Sequence, residues 1–207
     1  MKSIMLSGPD GTGKSTIIEA TRKALDHEKI ESKVIWLRFH HYLAKIVNGI
    51  GRLTGKSFYE KYSWGKVGYH NYNGAIGYLY IYAVFIDHIV FRIFKRPIVL
   101  KNHENITYLI DRYILDIAAD LIVDTKKEKI IFKLFGKLIK KELKYSNTFI
   151  LECPKELVIS RRVDIIDDKK YDDKIYAYNL IAEKFNVTKL NTGKYSVDKI
   201  VTIITNK

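Results

Sequence analysis

The chain has 207 residues, 47% of apolar type and 29% charged, a balance that excludes wholesale disorder and leaves room for a sizeable core. At roughly 150 residues per domain the length points to one unit over 1–207 with at most a mobile appendage, and excludes a multidomain machine. The 36 lysines and arginines exceed the 23 acidic residues to give a formal charge of +13, which favours anionic partners: nucleotides, nucleic acid or an acidic membrane surface.

Ser3 to Ser7 is a short apolar run that leads into Gly8 and then into an amphipathic stretch, Lys14 to about Asp26, with Ile17, Ile18, Thr21 and Leu25 at helical spacing. This is strand, glycine loop, helix. Lys33 to Leu37 reads as a second buried strand, Thr107 to Ile110 as a third, Asn147 to Leu151 as a fourth and Val187 to Leu190 as a fifth. Short apolar strands alternating with helical patterns predict an α/β fold with a parallel sheet. Between the second and third strands, Tyr42 to Gly55 and Tyr78 to Phe94 have helical patterns, while Lys56 to Gly77 has no clear period. Lys126 to Lys144 is a basic amphipathic helix with Ile130, Ile131, Leu134, Phe135, Leu138 and Ile139 on one face; its lysine face is either solvated or a contact for membrane or nucleic acid. Asp164 to Asp173 lacks apolar period and reads as a mobile loop, a place for a closing lid over about 162–173. The three prolines, Pro9, Pro97 and Pro154, sit at element edges.

One cysteine, Cys153, cannot form an internal bridge, and Met1, Lys2 and Ser3 run into Ile4-Met5-Leu6 without a charged-then-apolar leader, so a cytoplasmic location is expected. The longest apolar run, Gly74 to Ile86, stops at Asp87-His88 after about thirteen residues, short of the roughly 20 that span a bilayer. No transmembrane segment is expected.

The chemistry begins with Gly8-Pro9-Asp10-Gly11-Thr12-Gly13-Lys14-Ser15-Thr16, which fits the phosphate-binding pattern G-x-x-x-x-G-K-[ST] in its required place between strand and helix. Glycines let the backbone wrap a polyphosphate so that N–H groups point inward, and the helix aims its positive end at the same anion. Lys14 then bridges the outer phosphates and Ser15 joins a magnesium ion. No N-K-x-D base reader of GTPases is present, and the length excludes large ATPases and helicases. Small-molecule kinases remain. Tyr108-Leu109-Ile110-Asp111 supplies an acidic metal partner at a strand end, and Arg112 follows at once, suited to grip an acceptor phosphate; the pair also suits a plain strand-end salt bridge.

The glycine loop resembles that of thymidylate kinases, G-x-D-G-x-G-K-S-T, and Asp111-Arg112-Tyr113 resembles their D-R-Y motif. Further matches run in the same order: Arg38 after the second strand, Asp87 ahead of the Asp-Arg pair, and Leu151-Glu152-Cys153-Pro154 entering a helix that ends in Arg161-Arg162. The resemblance implies a P-loop fold with strand order 2-3-1-4-5 and helices on both faces, ATP and a nucleoside monophosphate as substrates, most simply thymidylate, magnesium as cofactor, and a homodimer with no obligate nucleic-acid partner. It implies that Gly8, Asp10, Gly11, Thr12, Gly13, Lys14, Ser15, Thr16, Arg161 and Arg162 meet ATP, and that Ser15 and Asp111 meet the metal. Lys14, Arg112 and Arg161 would serve the transfer itself. Asp10 would reach the acceptor's sugar, and Arg38 and Arg112 its phosphate, with Tyr113 in the same motif. Arg161-Arg162 also suits a solvated helix end facing Asp164 and Asp167.

Departures from the family pattern fall on the acceptor side. Arg38-Phe39-His40-His41-Tyr42 stands where the family has R-E-P-G-G-T, His88 replaces an arginine, and Asp116 replaces a serine. Asp116 can accept from an exocyclic amine or sugar hydroxyl, or face solvent with Asp120; His88 can meet a base, or pack in the core. Tyr82 or Phe85 is a candidate stacking platform in an otherwise core-forming aromatic set. His40-His41 has no spaced partner for zinc. Two other functions stay open: a kinase of an unphosphorylated nucleoside or other metabolite, and a non-catalytic nucleotide-gated protein that meets membrane or nucleic acid through its basic helix.

Overall fold

The computed structural model of the chain describes residues 3–38, 42–95 and 106–206; His40-His41 and Pro97 lie outside them. β1 (Ser3–Ser7) leads through the glycine loop to α1 (Lys14–His27), followed by β2 (Ser32–Trp36) and α2 (Leu43–Leu53). β3 (Ser57–Tyr62) and β4 (Gly65–His70) form a hairpin, and α3 (Ala75–Val90) continues into a π-helical turn, Phe91–Lys95. Then come β5 (Thr107–Asp111), α4 (Ile114–Thr125), α5 (Glu128–Tyr145), β6 (Asn147–Glu152), α6 (Lys155–Arg161), a 3₁₀ turn at Val163–Ile165, α7 (Tyr171–Phe185), β7 (Thr188–Asn191) and α8 (Val197–Thr205).

Five strands form one parallel sheet in the order β2-β5-β1-β6-β7. Numbered among themselves these strands run 2-3-1-4-5, the expected order. Successive strand residues face opposite sides, so β1 splits its side chains between two cores. Ile4 and Leu6 pack with Ile17, Ile18 and Leu25 of α1 and Ile200 and Ile204 of α8, whereas Met5 joins the larger core with α3, α4, α5 and α7. Burial on both faces holds for β1 and β5; β2, expected to be buried, is the edge strand of the sheet and leaves Lys33, Val34 and Trp36 exposed.

The hairpin is the main departure from expectation. Tyr62 pairs with Gly65, leaving Ser63-Trp64 as a two-residue turn, in a stretch whose alternation is blurred because Tyr59, Lys61 and Lys66 are all exposed. A lone two-stranded ribbon is marginal in water, and this one is held by burial of Ser57 and Tyr69. The expected loop Asp164 to Asp173 is more regular than its composition suggests. Ile165 and Tyr171 pack with Val158 in a small core of their own, the Asp168 carboxylate accepts from the Lys170 N–H at 3.0 Å, and Asp172 and Asp173 occupy the first turn of α7, where acidic groups suit the helix dipole.

The Asp87-His88 pair does not end the helix as the apolar run does. Both side chains point into the core, and α3 with its π turn is a 21-residue helix long and apolar enough to cross a membrane by length and composition alone, with 44% buried. α5 buries Ile131, Phe135 and Ile139 and leaves Lys129, Lys133, Lys137, Lys140 and Lys144 exposed on the opposite face.

Candidate active site

The carboxyl ends of β1, β5 and β6 open into one crevice, the place where open parallel sheets hold ligands. The loop after β1 is forced on glycine by its neighbours. Gly8 has φ +140°, and a Cβ there would fall 2.3 Å from the Leu151 carbonyl oxygen; Gly11 has φ +81°, and its Cβ would fall 2.4 Å from Val158 Cγ1. The Thr12 hydroxyl donates to the Pro9 carbonyl at 2.9 Å, and the Thr12 carbonyl accepts from the Thr192 hydroxyl at 3.0 Å, so the loop is braced from both sides. Gly13 precedes α1 and Lys14 opens it.

Lys14 is buried and folds back on the loop, its Nζ donating to the carbonyls of Gly8 at 2.7 Å and Pro9 at 2.6 Å. Burial and the Arg112 charge lower its pKa to about 8, against the pull of Asp10, Asp116 and Asp111. Ser15 and Thr16 are exposed on the first turn of α1, at the positive end of the helix.

Asp111 closes β5, in register with Leu6 of β1 and Trp36 of β2. Its Oδ1 is buried without a hydrogen-bond partner, and burial raises its pKa against the pull of Arg112 and Lys14. A buried acceptor left open, together with the exposed Ser15 hydroxyl, is a donor set of the oxygen type that a hard divalent cation takes. Among the described residues no cluster of three or more His, Cys, Asp or Glu groups could hold a metal by itself. This fits magnesium, which keeps its waters and relies on substrate phosphates.

Arg112 has φ +62°, in the left-handed region that costs a side-chain-bearing residue. Its N–H donates to the Leu6 carbonyl at 3.0 Å, and its guanidinium pairs with Asp10 and lies 3.7 Å from Asp116. Burial alone would raise the Asp10 pKa, but Arg112, Lys14, Lys174 and Arg38 hold it well below the usual carboxylate range. Arg38, just past β2, forks onto Asp120 through Nε at 3.0 Å and Nη2 at 2.7 Å, and remains charged because that carboxylate and Asp116 outweigh its burial.

A cavity of about 350 Å³ opens beside these groups. Arg38 and Asp120 stand at its wall, Tyr80, Val84, Ile117 and Leu121 supply apolar lining, and the hairpin contributes Ser57, Tyr59, Tyr69 and His70. Asp168, Lys170 and Lys174 line it from the segment before α7 and from α7 itself. Lys174 links cavity to loop, with its ammonium 2.7 Å from Asp168 and 3.9 Å from Asp10. Nearby, burial pushes Asp124 up to about 6 although Lys170 donates to it at 2.8 Å.

The structure separates the two arginines at the end of α6. Arg162 pairs with Asp164 and its Cδ comes within 3.8 Å of a Cβ placed on Gly11, whereas the Arg161 guanidinium lies 3.7 Å from Cys153 Sγ. Arg162 therefore borders the loop at Gly11.

Several expected acceptor contacts lie elsewhere. Asp116 is neither solvated nor open to a ligand: fully buried, it accepts from the Ser7 hydroxyl at 2.7 Å, the Tyr113 N–H at 3.0 Å and the Tyr178 hydroxyl at 2.7 Å. It ties the end of β1 to the start of α4. Tyr113 is itself buried. His88 packs between the rings of Tyr113, Phe91 and Phe135, Phe85 packs edge-on against Phe135, and Tyr82 is exposed on α3. Asp87 caps α2, accepting from the backbone N–H groups of Tyr42, Leu43 and Ala44 at 2.8 to 2.9 Å. Among the residues that line the cavity and that sequence reasoning passed over are Ser57, Tyr59, Tyr69 and His70 on the hairpin and Lys174 beyond it. Gly65, which follows the Ser63-Trp64 turn between two aromatic runs, was the available signal for the hairpin residues.

No protein-family model matches the chain, and no curated protein matches it in sequence. In structure it is similar to thymidylate kinase from Candida albicans, an enzyme described as having broad substrate specificity and a novel structural element. The TM-score is 0.57 and the identity 16%, over 99% of this chain and 89% of that one. At that identity the likeness speaks for the fold alone, and the fold is a thymidylate kinase-like parallel α/β architecture.

Proposed function

We propose that this chain is a nucleoside monophosphate kinase that moves the γ-phosphoryl group of ATP to thymidylate, giving ADP and the diphosphate. The observation that carries the reading is the meeting of two cationic sets in one crevice. Lys14 sits in its glycine loop, and Arg38 and Arg112 stand beside it, next to a cavity of about 350 Å³.

In this reading the amides of the glycine loop and Lys14 hold the polyphosphate. Arg38 and Arg112 exchange or share their carboxylate partners, Asp120 and Asp10, for the acceptor phosphate, which a guanidinium can grip through two parallel N–H groups. Asp10, kept ionised by its cationic neighbours, turns to accept from a sugar hydroxyl. Arg162, with Arg161 beside it, adds positive charge near the transferred group, and such charge stabilisation is most of what phosphoryl transfer requires. The acceptor brings its own anionic oxygen, so no general base is needed. Ser15 and Asp111 would hold magnesium, which when bound supplies charge neutralisation on the outer phosphates. The base would lie against Tyr80, with the polar groups of Ser57 and His70 at the hairpin end of the cavity, in place of Tyr82, Phe85 and His88.

The same reading includes a homodimer. Among the described residues α2 leaves Ile46, Ile50 and Leu53 exposed and the adjoining α3 leaves Leu79, Tyr82 and Ile86 exposed. Exposed apolar side chains on two packed helices are the kind of surface that a second copy covers.

A second reading, transfer to an unphosphorylated hydroxyl, draws on Asp111, whose raised pKa and open oxygen suit a proton acceptor. ADP formation measured with each nucleoside monophosphate and with thymidine separates the two. Thymidylate should support turnover and thymidine should not; activity with thymidine alone would transfer the case to the second reading. Nucleotide binding without ADP release for any acceptor would leave a non-catalytic binding protein.

A further inference from the structure

The kinase reading uses the glycine loop, the arginines and, of the hairpin, only Ser57 and His70 in the cavity wall; the rest of the hairpin reaches across the cavity. The Trp64 indole N–H donates to Asp167 Oδ2 at 2.8 Å. The Tyr69 hydroxyl lies 3.4 Å from both the Asp167 carbonyl and the Lys169 N–H. Lys169 pairs with Glu60 at 2.8 Å, and Glu60 also accepts from the Tyr62 hydroxyl at 2.6 Å. Tyr62 in turn stacks on Trp64 with ring planes 3° apart. Deeper in, the Lys170 ammonium donates to the His70 carbonyl and to Asp124.

These contacts join segments about 100 residues apart in sequence, and they differ in strength by position. The Glu60–Lys169 and Trp64–Asp167 contacts are exposed, where a hydrogen bond or ion pair holds weakly. The Lys170 contacts are largely buried, where breaking one leaves a stranded charge. An outer clasp that opens readily around an inner anchor that does not is the construction a ligand-admitting mouth needs. The clasped segment begins directly after Arg162, the arginine that borders Gly11.

Resting on the kinase reading, we infer that the β3–β4 hairpin and residues 163–170 are the two jaws of the acceptor cavity. Trp64, Glu60 and Asp167 are positioning residues that hold the jaws together around a bound monophosphate. They touch no reacting atom. They act by keeping the segment after Arg162 against the hairpin while the acceptor is in place.

The test uses the full chain. Trp64→Phe keeps a smaller aromatic ring on Tyr62 and removes the indole N–H; Asp167→Asn keeps the indole and weakens the same contact from the other side. Each single variant should raise the acceptor KM about fivefold, the size of one exposed contact, with the ATP KM unchanged, and the double variant should be no worse than either. Thermal denaturation should be unaltered, because both positions are on the surface. A readout independent of turnover comes from Trp36→Phe protein, in which Trp64 is the remaining indole of the two in the chain. Its emission should change on titration with thymidylate, and the change should be lost when Asp167→Asn is added. An unchanged acceptor KM in Trp64→Phe together with an unresponsive Trp64 emission would overturn the inference. A wild-type protein without kinase activity, together with Trp64 emission in Trp36→Phe that still answers to the monophosphate, would overturn the kinase reading and leave the jaws standing.

Discussion

Lys14 sits at the point where burial and charge compete most sharply. Its pKa of about 8 belongs to the state in which its ammonium is turned onto two loop carbonyls; a triphosphate placed against it favours the charged form and raises that value. Between the two values, binding takes up a proton. The affinity for ATP should therefore be flat below about pH 8 and fall above it, by up to about tenfold per pH unit. Calorimetry in buffers of different ionisation enthalpy should register the proton uptake near pH 8.5; uptake absent there would contradict the assignment. Asp116 illustrates a different kind of residue. With Ser7, Tyr113 and Tyr178 donating to it, Asp116→Ala strands buried partners and should cost about 3 kcal/mol of stability in urea denaturation. The glycine loop was legible because its nine residues are contiguous and each has a stated job. Asp116 was not, because its partners Ser7 and Tyr178 lie 109 and 62 positions away, and a carboxylate one turn into a helix looks the same in sequence whether it faces water or the core.

Elements divide along the same line. The five sheet strands and the longer helices were visible because each carries a local pattern: short apolar runs for strands, apolar residues at three and four apart for helices; what the runs did not tell was that β2 lies at the sheet edge with most of its side chains exposed. The hairpin carries no such record. Its buried residues, Ser57 and Tyr69, are a small polar residue and an aromatic, and its tyrosines lie on both faces. The start of α2 is equally invisible locally, since Tyr42 offers no side-chain cap of its own and the cap arrives from Asp87 on α3. Three N–H groups share that one carboxylate, so Asp87→Ala should cost about 2 kcal/mol, at the upper end for a helix cap, with loss of helical signal from α2 before the global transition. A variant as stable as the parent would mean the cap is dispensable.

At the scale of the molecule, two surfaces stand out. The lysine face of α5 accounts for part of the +13 charge and lies on the outside of its helix. The apolar face of α2 and α3 includes Ile46, 63% exposed, and Leu53, 90% exposed, a surface that a second copy would cover. Sedimentation velocity of the wild-type chain should give a dimer, and Ile46→Glu combined with Ile86→Glu should give a monomer of nearly unchanged melting temperature, because neither side chain contributes to the core. A monomeric wild-type chain would remove the dimer from the account. From sequence, the helical pattern of α2 was plain, but which of its apolar residues faced the core was not. That depends on where α3 packs, and α3 is apolar on nearly every side.

The functional expectations depend on one thing, that the loop from Gly8 to Thr16 holds the phosphates of a nucleotide with Lys14 as its cation. Calorimetric titration of ATP with magnesium into the wild-type chain and into Lys14→Met measures this directly. Saturable binding to the wild-type chain that weakens by about a hundredfold or more in the variant, roughly 2.7 kcal/mol, with the variant still folded by circular dichroism, is the predicted result. Equal affinity in the two proteins, or no binding to either, would contradict it.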